Sequence, residues 1–384
     1  MGASVSAIGN ASSIKDFYES KLVEGLDDKA LLDAMTQHIE GLNKRESANE
    51  VKKVLIIGAA GAIGKCLTQH LLENNIEVVA ALRKTPLPES ISSLPGLHQE
   101  FGVDCQNEET IRNCFKNHNN IDCCWNLAAP LSVETAGNPE LAYDVVVNGM
   151  DRLLKVMREY NVSRICFSDS IGSYGGAAPR TSNAAWLVNN PTQDPGSEYG
   201  LQKRKCRELM RDFVNELPNI RTCRWAIIPG VLHGDSSWGA GTTEYALDAL
   251  KCASESKIFN CPVEEDVYLP MIWRDDLIKG LYALTIANKN KLIEPDGGYA
   301  MAGLSFTPIE LFNEIKKRND KFEYYVEKDI IKLKSESPAA VFARLWVDYL
   351  TADEALRDLG FEAVNKDIGA IIDRILQEWS DRGI

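Results

Sequence analysis

Tyr199 and Lys203 stand four positions apart, a spacing that places two side chains on one face of an α-helix. A free tyrosine has a pKa of about 10 and is a poor base at neutral pH. A nearby ammonium group favours the phenolate and lowers that pKa. Such a pair can take the proton from an alcohol while a hydride leaves the same carbon. The spacing therefore predicts chemistry at an alcohol carbon, performed from a helix over residues 198–215.

A glycine-rich turn upstream predicts where the acceptor of that hydride binds. Gly58, Gly61 and Gly64 follow an apolar strand at 54–57 and precede a helix. Glycines permit a tight turn and a close approach of backbone to a pyrophosphate, and the start of the helix offers free N–H groups. The spacing G-x-x-G-x-x-G differs from the commoner G-x-G-x-x-G. We expect dinucleotide contacts from Gly58, Gly61, Ala62, Ile63 and Gly64.

The end of the second predicted strand, 78–82, bears on the choice between NAD and NADP. NAD enzymes usually carry Asp or Glu there to bind the ribose hydroxyls. Here the strand is followed by Arg83 and Lys84 and no acid. A cation at this point attracts a 2′-phosphate, which favours NADP. The alternative is that both side chains are solvated and that NAD binds through its other contacts.

Further cofactor contacts are predicted along the same edge of the sheet. Asp104 and Cys105 follow the third strand, where the adenine would lie. The fourth strand ends at the small residues of 127–129, which let backbone lie beside the cofactor. Asn148 belongs to the next helix, and a polar position on the helix surface is an equal alternative. The set predicted here is Asp104, Cys105, Leu127, Ala128, Ala129 and Asn148.

The order of elements predicts an α/β fold of the Rossmann type, with a doubly wound parallel sheet. Strands are expected at 54–57, 78–82, 98–103, 122–127, 164–167 and 222–228, and helices at 108–115, 140–160 and 198–215. Residues 50–235 would form the dinucleotide-binding domain. Residues 236–384, where the rhythm becomes irregular, would mainly form a smaller substrate-binding lobe. Residues 1–49 read as a helical N-terminal extension.

Composition narrows the class of protein and its surroundings. The 384 residues carry a net charge of −13, which argues against general binding to nucleic acid. Ten cysteines without a C-x-x-C pair, and histidines that do not cluster with them, predict reduced thiols and no metal site. We expect no integral membrane span and a cytoplasmic or mitochondrial matrix location. Gly2 fits the pattern for N-myristoylation, although no basic cluster follows to supply a second anchor.

The motifs together resemble the extended short-chain dehydrogenase/reductases, a group that includes the nucleotide-sugar epimerases. Residues 58–64, 126–129 and 168–175, with Tyr199 and Lys203, carry this likeness. Later segments are similar to the short-chain type L-threonine 3-dehydrogenases. These are Pro229-Gly230 with 239–246, then Leu269-Pro270-Met271 to Asp276, and Leu304-Ser305-Phe306-Thr307-Pro308. The resemblance covers residues 52–362, and the later motifs are not shared by the sugar epimerases.

This resemblance implies roles for individual residues. Tyr199 would be the general base, Lys203 would hold the nicotinamide ribose, and Ser170 would hydrogen-bond the substrate hydroxyl. The substrate would be L-threonine, oxidised at its β-hydroxyl to 2-amino-3-ketobutyrate, and the protein would form a homodimer through the helices that carry Asn148 and Tyr199. Ser168 and Pro229 join the predicted cofactor contacts. The predicted substrate contacts are Ser132, Ser170, Tyr199, Gly241, Thr242, Thr243 and Trp346.

Departures from that pattern leave alternatives open. Glu244 is one methylene longer than the family's aspartate, residues 132–135 replace S-x-x-G-E, and Ile227 stands where an arginine is common. Another β-hydroxy or β-keto amino acid, handled with NADP and in the reductive direction, is one alternative. A nucleotide-sugar epimerase or dehydratase is a second. Thr242 and Thr243 would alternatively cap the next helix, and Trp346 would alternatively belong to the core.

Overall fold

A parallel sheet of seven strands organises the computed structural model. The model describes residues 50–383 apart from 219, 240, 290–291, 293–296 and 327–337. The strand order is β3-β2-β1-β4-β5-β7-β11, and every pairing in it is parallel. The strands are β1 (Lys53–Ile57), β2 (Glu77–Leu82), β3 (Leu97–Phe101), β4 (Cys123–Asn126), β5 (Arg164–Ser170), β7 (Thr222–Ile228) and β11 (Gly298–Ala300).

The strand order reverses between β1 and β4, and this topology creates the crevice where such sheets bind ligands. Strands β4, β5 and β7 are buried at every position, as expected when helices cover both faces. The fold class predicted from the sequence is therefore confirmed. The helices of the nucleotide-binding half are α1 (Ala62–Glu73), α2 (Glu89–Ser92), α3 (Glu108–Asn117), α4 (Ser132–Gly137), α5 (Pro139–Tyr143), α6 (Gly149–Glu159), α7 (Ala184–Asn189) and α8 (Glu198–Glu216).

The long helix predicted over 140–160 is interrupted. A π-helical turn, Asp144–Asn148, separates α5 from α6. The guanidinium of Arg152 donates to the carbonyl oxygen of Asp144 at 3.2 Å and to that of Cys105 at 3.0 Å. The interruption therefore coincides with a tertiary contact to the loop after β3, which local helix propensity does not encode.

The C-terminal part contributes short elements that periodicity did not predict. Strand β11 extends the main sheet beside β7, so the predicted boundary at 235 divides the chain but not the sheet. The smaller strands are β6 (Thr181–Ser182), β8 (Gly230–Leu232), β9 (Phe259–Cys261), β10 (Leu269–Trp273), β12 (Leu304–Phe306), β13 (Tyr324–Val326) and β14 (Tyr349–Leu350). The helices are α9 (Tyr245–Ser254), α10 (Arg274–Ile286), α11 (Pro308–Arg318), α12 (Pro338–Leu345), α13 (Asp353–Leu359) and α14 (Ile368–Asp381).

Three small sheets complete the topology. Strands β12, β10 and β8 form one, β13 pairs with β9, and β14 pairs with β6. In the described parts of the chain, no helix is long and apolar enough to cross a membrane. The same residues contain no cluster of three His, Cys, Asp or Glu side chains that would hold a metal ion. The helix predicted in the N-terminal extension and Gly2 lie outside the described residues.

Candidate active site

The turn between β1 and α1 is built for a close approach. Gly58 has a φ of +86°, the left-handed region that glycine adopts without strain. A Cβ on Gly58 would lie 3.0 Å from the backbone nitrogen of Ala128, two residues after β4 ends. A Cβ on Gly64 would lie 2.2 Å from the carbonyl oxygen of Gly58. The turn therefore requires glycine at both positions.

The same turn fits a pyrophosphate. The N–H of Gly61 donates to the carbonyl oxygen of Gly58 at 3.0 Å, which closes the turn directly before α1. Helix α1 begins at Ala62 and Ile63, has no acidic residue in its first turn and has no side chain capping its N-terminus. Its first N–H groups and its positive dipole end are therefore open to an anion. The residues present suit a dinucleotide, which would contribute the hydride acceptor.

Tyr199 and Ser170 lie near each other because two glycines, Gly172 and Gly200, let α8 contact the turn after β5. A Cβ on Gly200 would lie 2.0 Å from the carbonyl oxygen of Gly172. A Cβ on Gly172 would lie 2.8 Å from the Tyr199 ring. Ser197 fixes the start of α8, because its hydroxyl accepts the Gly200 N–H at 3.2 Å. Helix α8 thus presents Tyr199 toward the carboxyl end of β5.

Lys203 is held in place by the same strand. Its side chain is buried, with 2% of its surface exposed. The ammonium donates to the carbonyl oxygen of Ser168 at 2.6 Å and lies 4.7 Å from the ring centroid of Phe167. It lies 5.3 Å from the ring centroid of Tyr199. The positive charge therefore sits beside the phenol ring, as the four-residue spacing predicts.

Ser170 completes this group of three side chains. Its hydroxyl oxygen accepts the Gly172 N–H at 3.1 Å. The hydroxyl proton is therefore available to a substrate oxygen. Thirteen of the predicted site residues line one cavity at this point. They are Ile63, Leu127, Ala129, Ser132, Ser168, Ser170, Tyr199, Lys203, Pro229, Gly241, Thr242, Thr243 and Trp346.

The opposite side of the cavity is formed by hydroxyl groups and one indole. The hydroxyls of Ser132 and Thr242 lie 3.3 Å apart, and both residues are buried. Thr243 and Gly241 lie next to them in the cavity lining. Trp346 also lines the cavity, and its buried indole N–H meets no acceptor among the described residues. This side therefore offers polar groups to a small substrate.

The sequence of the nucleotide-binding half matches a known family model. Residues 54–227 match the model described as the NAD dependent epimerase/dehydratase family. The similarity to that family therefore covers this segment. The match spans β1 to β7 and includes the glycine-rich turn, Ser170, Tyr199 and Lys203.

Relatives of known sequence extend the similarity beyond that domain. An uncharacterized epimerase/dehydratase of Staphylococcus haemolyticus (strain JCSC1435) is 27% identical over 315 residues, which are 81% of this chain and 92% of that protein. The mitochondrial L-threonine 3-dehydrogenase of Bos taurus is 28% identical over 297 residues, or 74% of each chain. A solved monomeric L-threonine 3-dehydrogenase from a metagenome database is 26% identical, with a TM-score of 0.73, over 86% of this chain and 100% of that one.

These similarities confirm the resemblance to the extended short-chain dehydrogenase/reductases that the motifs predicted. They also confirm an enzyme of the NAD(P)-dependent dehydrogenase type. The family domain supports NAD(P) binding without distinguishing the two cofactors.

Predicted cofactor residues outside the cavity lie along the sheet edge of this family domain. Gly58, Gly61, Ala62, Gly64 and Ala128 form the turn and its neighbour described above. Arg83 is exposed directly after β2. Its side chain forms no ion pair or hydrogen bond with the residues that the structure describes. Cys105 is buried in the loop after β3. Its burial, and to a smaller extent the negative charge of Asp104, raises the pKa of its thiol to about 11.

Asn148 is placed differently from an inward-facing cofactor contact. It is exposed, and its amide donates to the carboxylate of Asp144 at 3.0 Å within the π-helical turn. This geometry matches the alternative reading of a polar residue on the helix surface. Its role toward the cofactor stays a prediction.

Asp169 and Arg207 form a buried ion pair that the sequence did not reveal. Arg207 follows Lys203 by one helical turn in α8, and it pairs with the Asp169 carboxylate. That carboxylate also accepts the Ser170 N–H at 2.8 Å and the hydroxyl hydrogen of Ser173. The pair therefore links the end of β5 to α8 directly behind Ser170. In the sequence Asp169 directly precedes Ser170, and Arg207 follows Lys203 by four positions. Only the fold brings Asp169 and Arg207 together.

Glu244 was noted only as a departure from the family pattern, yet its carboxyl lies in the cavity lining. Its carboxylate accepts the Thr243 hydroxyl at 3.3 Å. Burial raises the pKa of this carboxyl to about 7, and the charges of Asp248 and Glu134 act in the same direction. A side chain so placed changes its charge near neutral pH.

Proposed function

We propose that this enzyme transfers a hydride between the β-carbon of a β-hydroxy amino acid and NAD(P), most simply oxidising L-threonine to 2-amino-3-ketobutyrate. One observation carries the proposal: Ser170, Tyr199 and Lys203 share a cavity with residues 241–243. The first group supplies alcohol chemistry. The second resembles the part of the chain that binds the amino acid in L-threonine 3-dehydrogenases.

Each catalytic residue of the cavity has a separate role in the reaction. The Tyr199 phenolate takes the proton of the β-hydroxyl as the C–O bond becomes a carbonyl. The Ser170 hydroxyl donates to the same oxygen and fixes its position. The Lys203 ammonium attracts the negative charge of the phenolate. The nicotinamide would accept the hydride that leaves the β-carbon. The products are the β-keto amino acid, the reduced cofactor and one proton.

The substrate's other groups have partners on the opposite side of the cavity. One hydroxyl of the Ser132–Thr242 pair and the unpaired indole N–H of Trp346 can donate to a carboxylate. A buried donor without an acceptor is costly, so a ligand oxygen there would stabilise the complex. This supports an amino acid as substrate.

We propose NADP rather than NAD as the preferred cofactor. Strand β2 ends at Leu82 and is followed by Arg83, which is exposed, and Lys84. A carboxylate at this point would repel a 2′-phosphate, whereas a guanidinium binds one with strong, directional hydrogen bonds. Another β-hydroxy or β-keto amino acid, handled with NADP in the reductive direction, remains the alternative within the same chemistry.

The oligomeric state and the cellular location are also proposals. Helices α6 and α8 would form the contact of a homodimer, although one similar solved structure is described as monomeric. The bovine relative is named as mitochondrial, which agrees with a proposed cytoplasmic or mitochondrial matrix location. Sedimentation of the purified protein distinguishes monomer from dimer directly.

A nucleotide-sugar epimerase is the rival that the family name itself suggests. It would need to accept a nucleoside diphosphate in the substrate cavity. Glu244 lines the substrate cavity, and a carboxylate there would repel phosphates. This acidic side chain therefore favours the amino acid.

The test is formation of reduced cofactor, followed by absorbance, with L-threonine and either NAD⁺ or NADP⁺. We expect reduction that depends on L-threonine and is faster with NADP⁺. Identification of 2-amino-3-ketobutyrate, or of aminoacetone formed from it by loss of carbon dioxide, completes the assignment. Turnover of a UDP-sugar without net cofactor reduction would instead support the epimerase.

A further inference from the structure

The carboxylate of Glu244 lies against the substrate-binding segment itself. A Cβ placed on Gly241 would lie 2.2 Å from its Oε2 atom, so the carboxylate folds back over that glycine. Its Oε2 also accepts the Thr243 hydroxyl at 3.3 Å. Glu244 stands at the N-terminus of α9, but its side chain does not cap that helix. The carboxylate therefore accepts a neighbouring hydroxyl and does not cap the helix.

Within the described residues Glu244 forms no ion pair, and the charged groups that act on it most are the acids Asp248 and Glu134. Two other buried acids have a cationic partner: Asp169 pairs with Arg207, and Asp235 pairs with Arg274 at 2.8 Å. Buried Asp276 and Glu354 instead accept backbone N–H groups. Glu244 thus presents a partly buried carboxyl, without a cationic partner among the described residues, in the lining of a cavity.

A buried carboxylate of this kind is stabilised by a ligand that brings a positive charge and hydrogen-bond donors. A primary ammonium group supplies one charge and three donors. The hydroxyls of Ser132 and Thr242 and the indole of Trp346 lie in the same cavity and are suited to an anion. The cavity therefore has separate groups for the two charges of a zwitterion.

We propose that Glu244 binds the α-ammonium group of the substrate and so selects amino acids over hydroxy acids and phosphorylated compounds. This inference rests on the proposed function, because it concerns recognition in the same cavity. Glu244 is then a specificity-determining residue and leaves the proton and hydride transfers to the residues on the other side.

The first experiment compares L-threonine with 3-hydroxybutyrate, which has the same β-hydroxyl but lacks the ammonium group. Glu244→Gln keeps the size of the side chain and removes its charge. A hydrogen bond to a charged group contributes about 1.5–3 kcal/mol, which corresponds to ~10–100-fold in affinity. We expect the KM for L-threonine to rise ~10–100-fold in Glu244→Gln, with kcat changed much less.

A matched control uses the exposed acid on the same side of the cavity. Glu134→Gln removes a charge outside the cavity lining, and we expect the KM for L-threonine to change less than ~3-fold. Binding of L-threonine to the protein with reduced cofactor bound, measured by calorimetry, should weaken in Glu244→Gln and not in Glu134→Gln. This readout separates binding from turnover.

The outcomes distinguish this inference from the proposed function. If the unmodified enzyme oxidises no β-hydroxy amino acid, the proposed function fails and the inference fails with it. If it oxidises L-threonine and Glu244→Gln keeps the same KM, only the inference is overturned. If Glu244→Gln does not fold, the unmodified enzyme still decides: equal kcat/KM for 3-hydroxybutyrate and L-threonine would overturn the ammonium contact, whereas a strong preference for L-threonine supports it.

Discussion

The two sides of the cavity differ in how their charges are balanced. The catalytic wall, formed by residues 168–173 and α8, is cross-linked: Lys203 donates to the Ser168 carbonyl oxygen and Arg207 pairs with Asp169. The substrate wall, formed by residues 132 and 241–244 with Trp346, has a carboxyl without a cation and an indole N–H without an acceptor among the described residues.

This difference separates two requirements of an enzyme site. Groups that move protons must be held in one geometry, which explains the paired and rigid catalytic wall. Groups that bind a substrate must keep hydrogen-bonding capacity free for it, which leaves polar atoms without a partner within the protein. Chemistry and recognition are therefore expected to respond to different substitutions.

The largest effect is expected on the catalytic wall, from Tyr199→Phe. Removal of the phenolic oxygen removes the general base, a contribution of ~100–10,000-fold to turnover. We expect kcat to fall by at least ~100-fold while the KM for L-threonine changes little. Tyr143→Phe, at an exposed tyrosine 43% accessible to solvent, is the control and should leave kcat unchanged. Near-normal kcat in Tyr199→Phe would refute its role as base.

The second prediction concerns the loss of the buried ion pair between Asp169 and Arg207, behind Ser170. Asp169→Asn leaves the buried guanidinium of Arg207 without its carboxylate, and loss of one partner in a buried pair typically costs about 3–5 kcal/mol. We expect a loss of about 3 kcal/mol in the free energy of unfolding, measured with urea, and a fall in kcat larger than any change in KM.

Its control lies on the exposed face of the same helix. Glu208→Gln breaks the ion pair with Lys205, whose atoms lie 3.1 Å apart at the surface, and should leave stability nearly unchanged. Equal losses in the two variants would contradict a special role for the buried pair.

The third prediction concerns His233, a buried histidine directly after β8. His233 is buried, its Nδ1 accepts the Asp235 N–H at 3.1 Å, and its ring contacts Trp238. Burial lowers the pKa of His233 to about 4; the cations around it act in the same direction and Asp235 opposes them. The folded state therefore keeps this ring neutral where the unfolded chain, with an ordinary pKa of about 6.5, becomes protonated.

The sign of the pH dependence follows from that difference. The unfolded state binds the extra proton between about pH 6.5 and 4, so stability from this group is complete above pH 6.5 and is lost as the pH falls. The loss is about 3 kcal/mol over this window. We expect His233→Gln to flatten the pH dependence of urea unfolding relative to the unmodified protein. His98→Gln, at an exposed histidine, should not change it.

The smallest expected effect lies at the far end of the cofactor. Arg83→Ala should raise the Kd for NADP⁺ by ~10-fold and leave the Kd for NAD⁺ nearly unchanged, because only NADP⁺ carries the 2′-phosphate. Lys84→Ala, at the neighbouring exposed cation, is the control and should have the smaller effect. Equal weakening of both cofactors in Arg83→Ala would contradict the phosphate contact.

The sequence predicted the fold where local pattern and tertiary structure agree. Strand β7 was predicted at its observed bounds, 222–228, because its mainly apolar residues are typical of a strand buried on both faces, although Arg224 lies among them. Strand β11 was missed because three residues carry no periodic pattern, and its place beside β7 is a long-range pairing. The π-helical turn in the predicted helix 140–160 likewise accompanies the contact of Arg152 with the loop after β3.

The site residues also divide into those that local sequence patterns predict and those that only the fold brings together. Tyr199 and Lys203 were found from helical spacing, and the glycine-rich turn was found from its position between a strand and a helix. Asp169 and Arg207 lie 38 positions apart, so nothing local indicates their pairing. Glu244 was visible only as a departure from a family pattern, and its burial beside Gly241 depends on the fold.

The most direct test of the central claim follows the hydride itself. L-threonine carrying deuterium at the β-carbon is incubated with the enzyme and NADP⁺ or NAD⁺, and the reduced cofactor is examined by mass spectrometry. The account predicts that the deuterium appears in the reduced nicotinamide, that the L-threonine is converted to the β-keto acid, and that Tyr199→Phe suppresses the transfer. No transfer from L-threonine, together with inversion of a separately supplied UDP-sugar that is deuterated at its reacting carbon and keeps that deuterium, would contradict the amino acid dehydrogenase and assign the cavity to an epimerase.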